Sequence, residues 1–130
     1  MLRQHTIQIR VRYQETDAQG RVHHANYLNY FEMGRIELLR ACGLSYREFE
    51  ERGWMLVVSQ IQCRYLIPAY YDDLVALTTT TVRAKRARIE HAYRVMRDGE
   101  LLVEGSSSIA CIDREGRVCR IPQELFIADD

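Results

Sequence analysis

Polar and apolar positions alternate at the start of the chain. His5, Ile7, Ile9, Val11 and Tyr13 fall on one side, and Gln8, Arg10 and Arg12 on the other. A period of two over residues 5–13 predicts a half-buried strand. Asp17-Ala18-Gln19-Gly20 breaks it. Gly20 permits a positive φ, and an aspartate accepts bonds from nearby backbone amides. The period then lengthens. Tyr27, Tyr30, Phe31, Gly34, Leu38 and Ala41 recur at helical spacing, and Leu28, Ile36 and Leu39 add apolar surface beside that stripe. The pattern predicts a long, largely enclosed helix with Asn26 as N-cap and Gly43 just past its end. Gly34 costs such a helix about 1 kcal/mol against alanine, and is tolerated best where another backbone comes close.

Ser45-Tyr46-Arg47-Glu48 reads as a capping box, with Leu44 and Phe49 as its hydrophobic staple and Gly53 as the stop of a short second helix. From Val57 the period returns to two. Val57, Ser59, Ile61, Cys63, Tyr65 and Ile67 share a face, and Pro68 ends the strand. A threonine-rich strand follows from Leu74 to Val82, then a basic corner from Arg83 to Arg88. Ile89, His91, Tyr93 and Val95 alternate in the next strand. Asp98-Gly99 is a type I′ hairpin signal, and Leu101 to Ile112 returns as a long strand. Within it, Gly105-Ser106-Ser107-Ser108 leaves room for close packing. Strand, long helix, short helix and four antiparallel strands make an α+β fold with helices on one face of one sheet. So small a sheet cannot hide a long apolar helix and its own other face and edges. The pattern therefore predicts at least a dimer with edge strands paired between copies.

Composition narrows the class. The 130 residues fit one domain, 1–130, and 47% hydrophobic with 28% charged residues is an ordinary globular profile. A formal net charge of +0 gives no bias towards nucleic acid or an anionic membrane. No run approaches the roughly 18 apolar residues of a membrane span. Met1 is followed by polar residues rather than a signal sequence, and the four cysteines form no C-x-x-C pair. A cytoplasmic protein with reduced thiols is the expectation, Cys63 and Cys111 being inert core residues. The four histidines do not make a metal set, because His23 and His24 are adjacent and H-E-x-x-H spacing is missing.

The stretch Y-Q-E-T-D-A-Q-G-R-V-H-H-A-N-Y, followed by L-N-Y-F-E-M-G-R and later by Y-L-I-P-A-Y-Y-D-D-L, resembles the hotdog-fold acyl-CoA thioesterases. Within them it is most similar to the 4-hydroxybenzoyl-CoA thioesterase family, in its YbgC-type branch. Asp17, Gly20, Val22, His24, Tyr27, Phe31 and Arg35 carry the first motif. The resemblance implies a five-stranded antiparallel sheet wrapped around a long central helix. It also implies dimers with a continuous sheet, pairing further into a homotetramer, and active sites at the dimer interface. It maps the catalytic carboxylate onto Asp17. It maps onto His24 the backbone amide that polarises the thioester carbonyl, and implicates the His24 side chain. No cofactor is implied beyond the coenzyme A of the substrate. The 4-hydroxybenzoyl-CoA enzymes carry aromatic residues where this chain has His23 and His24.

The chemistry fits those residues. Asp17 could attack the thioester carbonyl or activate water, and either role needs the ionised form that a helix N-terminus favours. The same helix end offers unpaired amides to an oxyanion. Tyr27 is a candidate for the acyl pocket. Arg83, Lys85, Arg86 and Arg88 form the one dense positive cluster and are candidates for the phosphates of coenzyme A. Each has a plainer reading. Asp17 could fix a turn, His24 could be a polar helix-end residue, the stripe tyrosines could be core, and the basic corner could be solvated. Glu32, three residues before Arg35, reads as its ion-pair partner. The reading reached is a thioesterase acting on short-chain or aromatic acyl-CoA, with an acyl carrier protein as a possible alternative carrier. The alternatives are an acyl-CoA hydratase or dehydratase of the same fold, and a non-catalytic acyl-CoA-binding module.

Overall fold

The chain folds into β1 (Gln4–Arg10), a 3-10 turn (Tyr13–Glu15), α1 (Asn26–Ala41), α2 (Tyr46–Glu51), β2 (Met55–Tyr65), β3 (Leu74–Lys85), β4 (Arg88–Arg97), β5 (Glu100–Ile112) and a last 3-10 turn (Gln123–Leu125). This is a computed structural model, and it describes residues 2–127. The five strands form one antiparallel sheet in the order β1-β3-β4-β5-β2. β2 and β1 are therefore its edges. The expected α+β architecture, a sheet curled around one long helix, is the hotdog arrangement.

The helix stripe supplies the core. Tyr27, Tyr30 and Phe31 pack with Val75, Leu77, Tyr93, Val95, Leu102 and Val103. Two glycines let helix and sheet meet closely. A Cβ at Gly34 would overlap Thr79 and Leu77, and one at Gly105 would lie 2.6 Å from the Phe31 ring and 2.7 Å from the Gln62 carbonyl oxygen. The Phe31 ring stacks on Tyr93 at 4.2 Å, occupying the room that the Gly105–Ser108 segment leaves. A second cluster, with Phe49, Ile89, Ile109, Cys111 and Leu125, lies beneath α2 and the C-terminal segment, with Leu44 packed against it. Ser45 caps α2 by accepting from the Glu48 amide. Asp98 and Gly99, both at positive φ, join β4 to β5 between the paired Arg97 and Glu100.

Three sequence expectations change. Tyr13 does not continue the buried face of β1. The strand ends at Arg10, and Tyr13 enters a 3-10 turn with its side chain 77% exposed. Asn26 is not the N-cap but the first residue of α1, after Ala25. Its side-chain amide instead donates to the Glu15 carbonyl oxygen at 2.8 Å. In β2 the pairing with β5 shifts between Val58 and Gln60. This bulge reverses which parity faces the helix. Leu56 packs inward before it, and Ile61 and Cys63 after it, while Val57 is 39% exposed.

Candidate active site

The loop that carries Asp17 is closed on itself and anchored to the helix. Asp17 N donates to Arg21 O at 2.7 Å and Gly20 N to Asp17 O at 3.0 Å, with Gly20 at φ 79. Asp17 Oδ1 accepts from Gln19 N at 2.8 Å and Arg21 N at 3.2 Å. The turn-fixing reading is therefore true of one carboxylate oxygen. Oδ2 accepts no hydrogen bond among the described residues, so one oxygen shapes the loop while the other stays uncommitted.

Glu15 locks this loop to α1. Its buried carboxylate accepts from Arg12 N at 2.8 Å, from the Arg12 guanidinium at 3.1 Å and from Tyr30 Oη at 2.8 Å. Burial, and the bond to that carboxylate, push the Tyr30 phenol well above its ordinary range. The Glu15 carbonyl oxygen accepts both His23 N and the Asn26 side chain at 2.8 Å. Sequence reading did not single out Glu15. Its signal is the Arg12–Glu15 spacing of three, which matches a capping pair.

At the mouth of the helix, His23 Nδ1 accepts from Ala25 N at 3.1 Å, and His23 O from Asn26 N at 2.8 Å. The His24 amide has no acceptor among the described residues. It stands at the positive end of a sixteen-residue helix. The His24 ring stacks on His23 at 4.2 Å and meets Tyr65 edge-on. Tyr65 Oη donates to the His24 carbonyl oxygen at 3.0 Å, tying the end of β2 to the helix mouth. Tyr65, read from sequence only as a strand-face residue, is thus part of the site.

These residues share one cavity. Asp17, Arg21, His24, Tyr27, Tyr65 and Pro68 are among the residues lining a space of about 240 Å³. Tyr27 is buried, and burial pushes its phenol up to about 12, so it is a neutral group at the wall. No group of three or more His, Cys, Asp or Glu side chains among the described residues could hold a metal ion. A free carboxylate oxygen and a free amide at a helix N-terminus, around one cavity, are the parts that acyl transfer requires.

Comparison with known proteins agrees with that chemistry. The family profile described as the thioesterase-like superfamily matches residues 11–127. The chain belongs to this superfamily. The acyl-CoA thioesterase YbgC of Haemophilus influenzae is 36% identical over 106 residues, covering 81% of this chain and 78% of that protein. The acyl-CoA thioester hydrolase YbgC of Escherichia coli is 29% identical over 106 residues, covering 81% and 79%. Among solved structures, the DHNA-CoA thioesterase of Staphylococcus aureus superposes with a TM-score of 0.87 at 28% identity, covering 90% of this chain and 80% of that one. The protein is a hydrolase acting on thioesters.

In this thioesterase the remaining sequence candidates lie elsewhere. Arg83 and Lys85 end β3, Arg86 sits in the following turn at φ 58, and Arg88 opens β4. The Asp17 loop is bridged to Tyr70, just before the start of β3. Twelve residues of β3 put the basic hairpin roughly 36 Å further along the strand. One protomer therefore does not bring its own Asp17 and basic corner together. Arg83 pairs with Glu90 at 3.1 Å. The expected Glu32–Arg35 pair does not form. Arg35 instead donates to Tyr93 Oη at 3.0 Å, because its side chain reaches in to the sheet beneath α1. No helix among the described residues is long and apolar enough to cross a membrane.

Proposed function

We propose that this thioesterase hydrolyses acyl-CoA with short-chain or aromatic acyl groups, with Asp17 as nucleophile or general base and the His24 amide as oxyanion donor. The observation that carries the reading is that Asp17 Oδ2 and the His24 N–H both lack partners beside one cavity. As nucleophile, Oδ2 adds to the thioester carbonyl carbon. The oxyanion forms near the His24 amide, the thiolate of coenzyme A departs, and water cleaves the resulting anhydride. As base, Oδ2 takes a proton from the attacking water instead. A thiolate leaves readily, so the reaction needs no electrophile beyond the helix end. The His24 ring lines the same cavity, and in this reading it delivers a proton to the departing thiolate. Tyr27 forms part of the acyl wall.

The working unit of this proposal is a cytoplasmic homodimer joined at β2, with dimers pairing into a homotetramer. β2 is an unpaired edge carrying exposed Val57, Val58 and Tyr65. A two-fold axis makes such a pairing antiparallel. It carries the Arg83, Lys85, Arg86 and Arg88 hairpin of one copy towards the Asp17 end of the other, where it would hold the coenzyme A phosphates. The test is thiol release from a panel of short-chain and aromatic acyl-CoA esters, with the same acyl groups on an acyl carrier protein beside them. Release from the coenzyme A esters supports the proposal. No release from any carrier overturns it, and release from acyl carrier protein alone reassigns the carrier.

A further inference from the structure

A second cavity lies apart from Asp17, between α1, α2 and the inner face of the sheet. It holds about 250 Å³, and its lining shares no residue with the first. Ile36, Leu39, Leu56 and Ile109 give it aliphatic walls. By comparison, a dry cavity of about 150 Å³ accommodates benzene, so this one has room for a chain of about six to ten carbons.

One wall is polar. His91 lines the cavity while being only 8% exposed, and neither ring nitrogen is hydrogen-bonded among the described residues, Nδ1 being fully buried. Native proteins leave few such groups unpaired, and each calls for a reason. Burial and the nearby Arg35 guanidinium hold the imidazole neutral. A neutral imidazole offers one donor and one acceptor. A single hydroxyl can pair with one of the two, donating to the bare nitrogen or accepting from the N–H.

The edge strand runs past both cavities. Tyr65, at the end of β2, lines the Asp17 cavity; Leu56 and Val58, near its start, line the second. Antiparallel pairing of β2 with β2 of another copy sets the end of one strand beside the start of the other. The aliphatic cavity of one protomer then adjoins the Asp17 of its partner.

We infer that this cavity receives the far end of an acyl chain whose thioester lies at the partner subunit's Asp17, and that His91 selects a medium-length aliphatic chain carrying a hydroxyl at that end. The inference rests on the acyl-CoA reading above and extends its acyl range beyond short-chain and aromatic groups to a medium-length hydroxylated chain. The aliphatic walls hold the methylenes, the hydroxyl bonds to one ring nitrogen of the imidazole, and a plain chain leaves that nitrogen without a partner.

The test compares kcat/KM for ω-hydroxyoctanoyl-CoA, octanoyl-CoA and propionyl-CoA in the full-length protein. Preference for the hydroxylated over the plain chain should be about tenfold, and His91→Leu should abolish it. Ile36→Phe, which narrows the cavity from the helix side, should lower the octanoyl-to-propionyl ratio about tenfold. Calorimetry of ω-hydroxyoctanoate reads the same site without turnover, and His91→Leu should weaken that binding about tenfold. A wild type that binds the hydroxy acid through His91 but releases no thiol from these acyl-CoA esters would sink the acyl-CoA reading above and leave the site standing. Equal hydroxylated and plain ratios, insensitive to His91→Leu, overturn the inference. So does an Ile36→Phe variant that shifts only the oligomeric state, which would mean that partner side chains fill the cavity.

Discussion

The phenol of Tyr65 donates to the carbonyl oxygen of His24 at 3.0 Å, so the last residue of β2 holds the peptide just before the central helix. That peptide follows the one that presents the His24 amide to the cavity. Tyr65 is therefore a positioning residue for the oxyanion donor. Tyr65→Phe removes one hydrogen bond and little volume. It should lower kcat about three- to tenfold, with KM for a short-chain acyl-CoA changed much less. Steady-state kinetics separate the two. A raised KM with unchanged kcat would place Tyr65 in substrate binding instead.

Close contact between helix and sheet sets the second prediction. Gly34→Ala gains about 1 kcal/mol of helix propensity. The new methyl overlaps the buried side chains of Thr79 and Leu77. Overpacking of this kind costs about 1–3 kcal/mol, so the clash wins and the variant should be less stable than the parent. Urea denaturation at neutral pH checks the sign, and a gain in stability would show that α1 lifts freely from the sheet.

Much of this frame was legible in the chain. Asp98-Gly99 announced its hairpin, Tyr27, Tyr30 and Phe31 announced the buried stripe, and the Tyr13 to Arg35 motif announced the mouth of the helix. Local signals sufficed there, because period and turn chemistry act over a few residues. What failed was non-local. The bulge between Val58 and Gln60 follows from pairing with β5, and nothing in Val57-Val58-Ser59-Gln60 marks where the parity flips. Tyr65 meets His24 across 41 positions, and Arg35 reaches Tyr93 rather than Glu32 because the sheet offers a partner beneath the helix. The cavity beside His91 likewise exists only once α1, α2 and three strands have met.

His91 also predicts how stability depends on pH. Burial, and secondarily Arg35, lower it from an ordinary 6.5 to about 3. Glu32, exposed on α1, is the acidic group that lines the same cavity. Between those two values the unfolded chain takes up a proton that the folded chain refuses. Stability is therefore intact above pH 6.5 and falls as pH drops towards 3. At pH 5 the loss from this group is about 2 kcal/mol. His91→Leu should flatten the fall between about pH 6.5 and 5 in thermal melts, whatever its effect at neutral pH. An unchanged slope would mean that the imidazole titrates normally in the folded protein.

Asp17 carries the central claim, and its two oxygens allow a clean substitution. In Asp17→Asn the side-chain carbonyl can still accept from Gln19 N and Arg21 N, so the loop keeps its shape while the charge at Oδ2 disappears. The measurement is free-thiol release by wild type and Asp17→Asn on the best acyl-CoA substrate, with melting curves confirming that both are folded. The variant should lose about 100- to 10,000-fold in kcat/KM while melting near the wild-type temperature. A folded variant with undiminished turnover would contradict the assignment of the carboxylate to the chemistry.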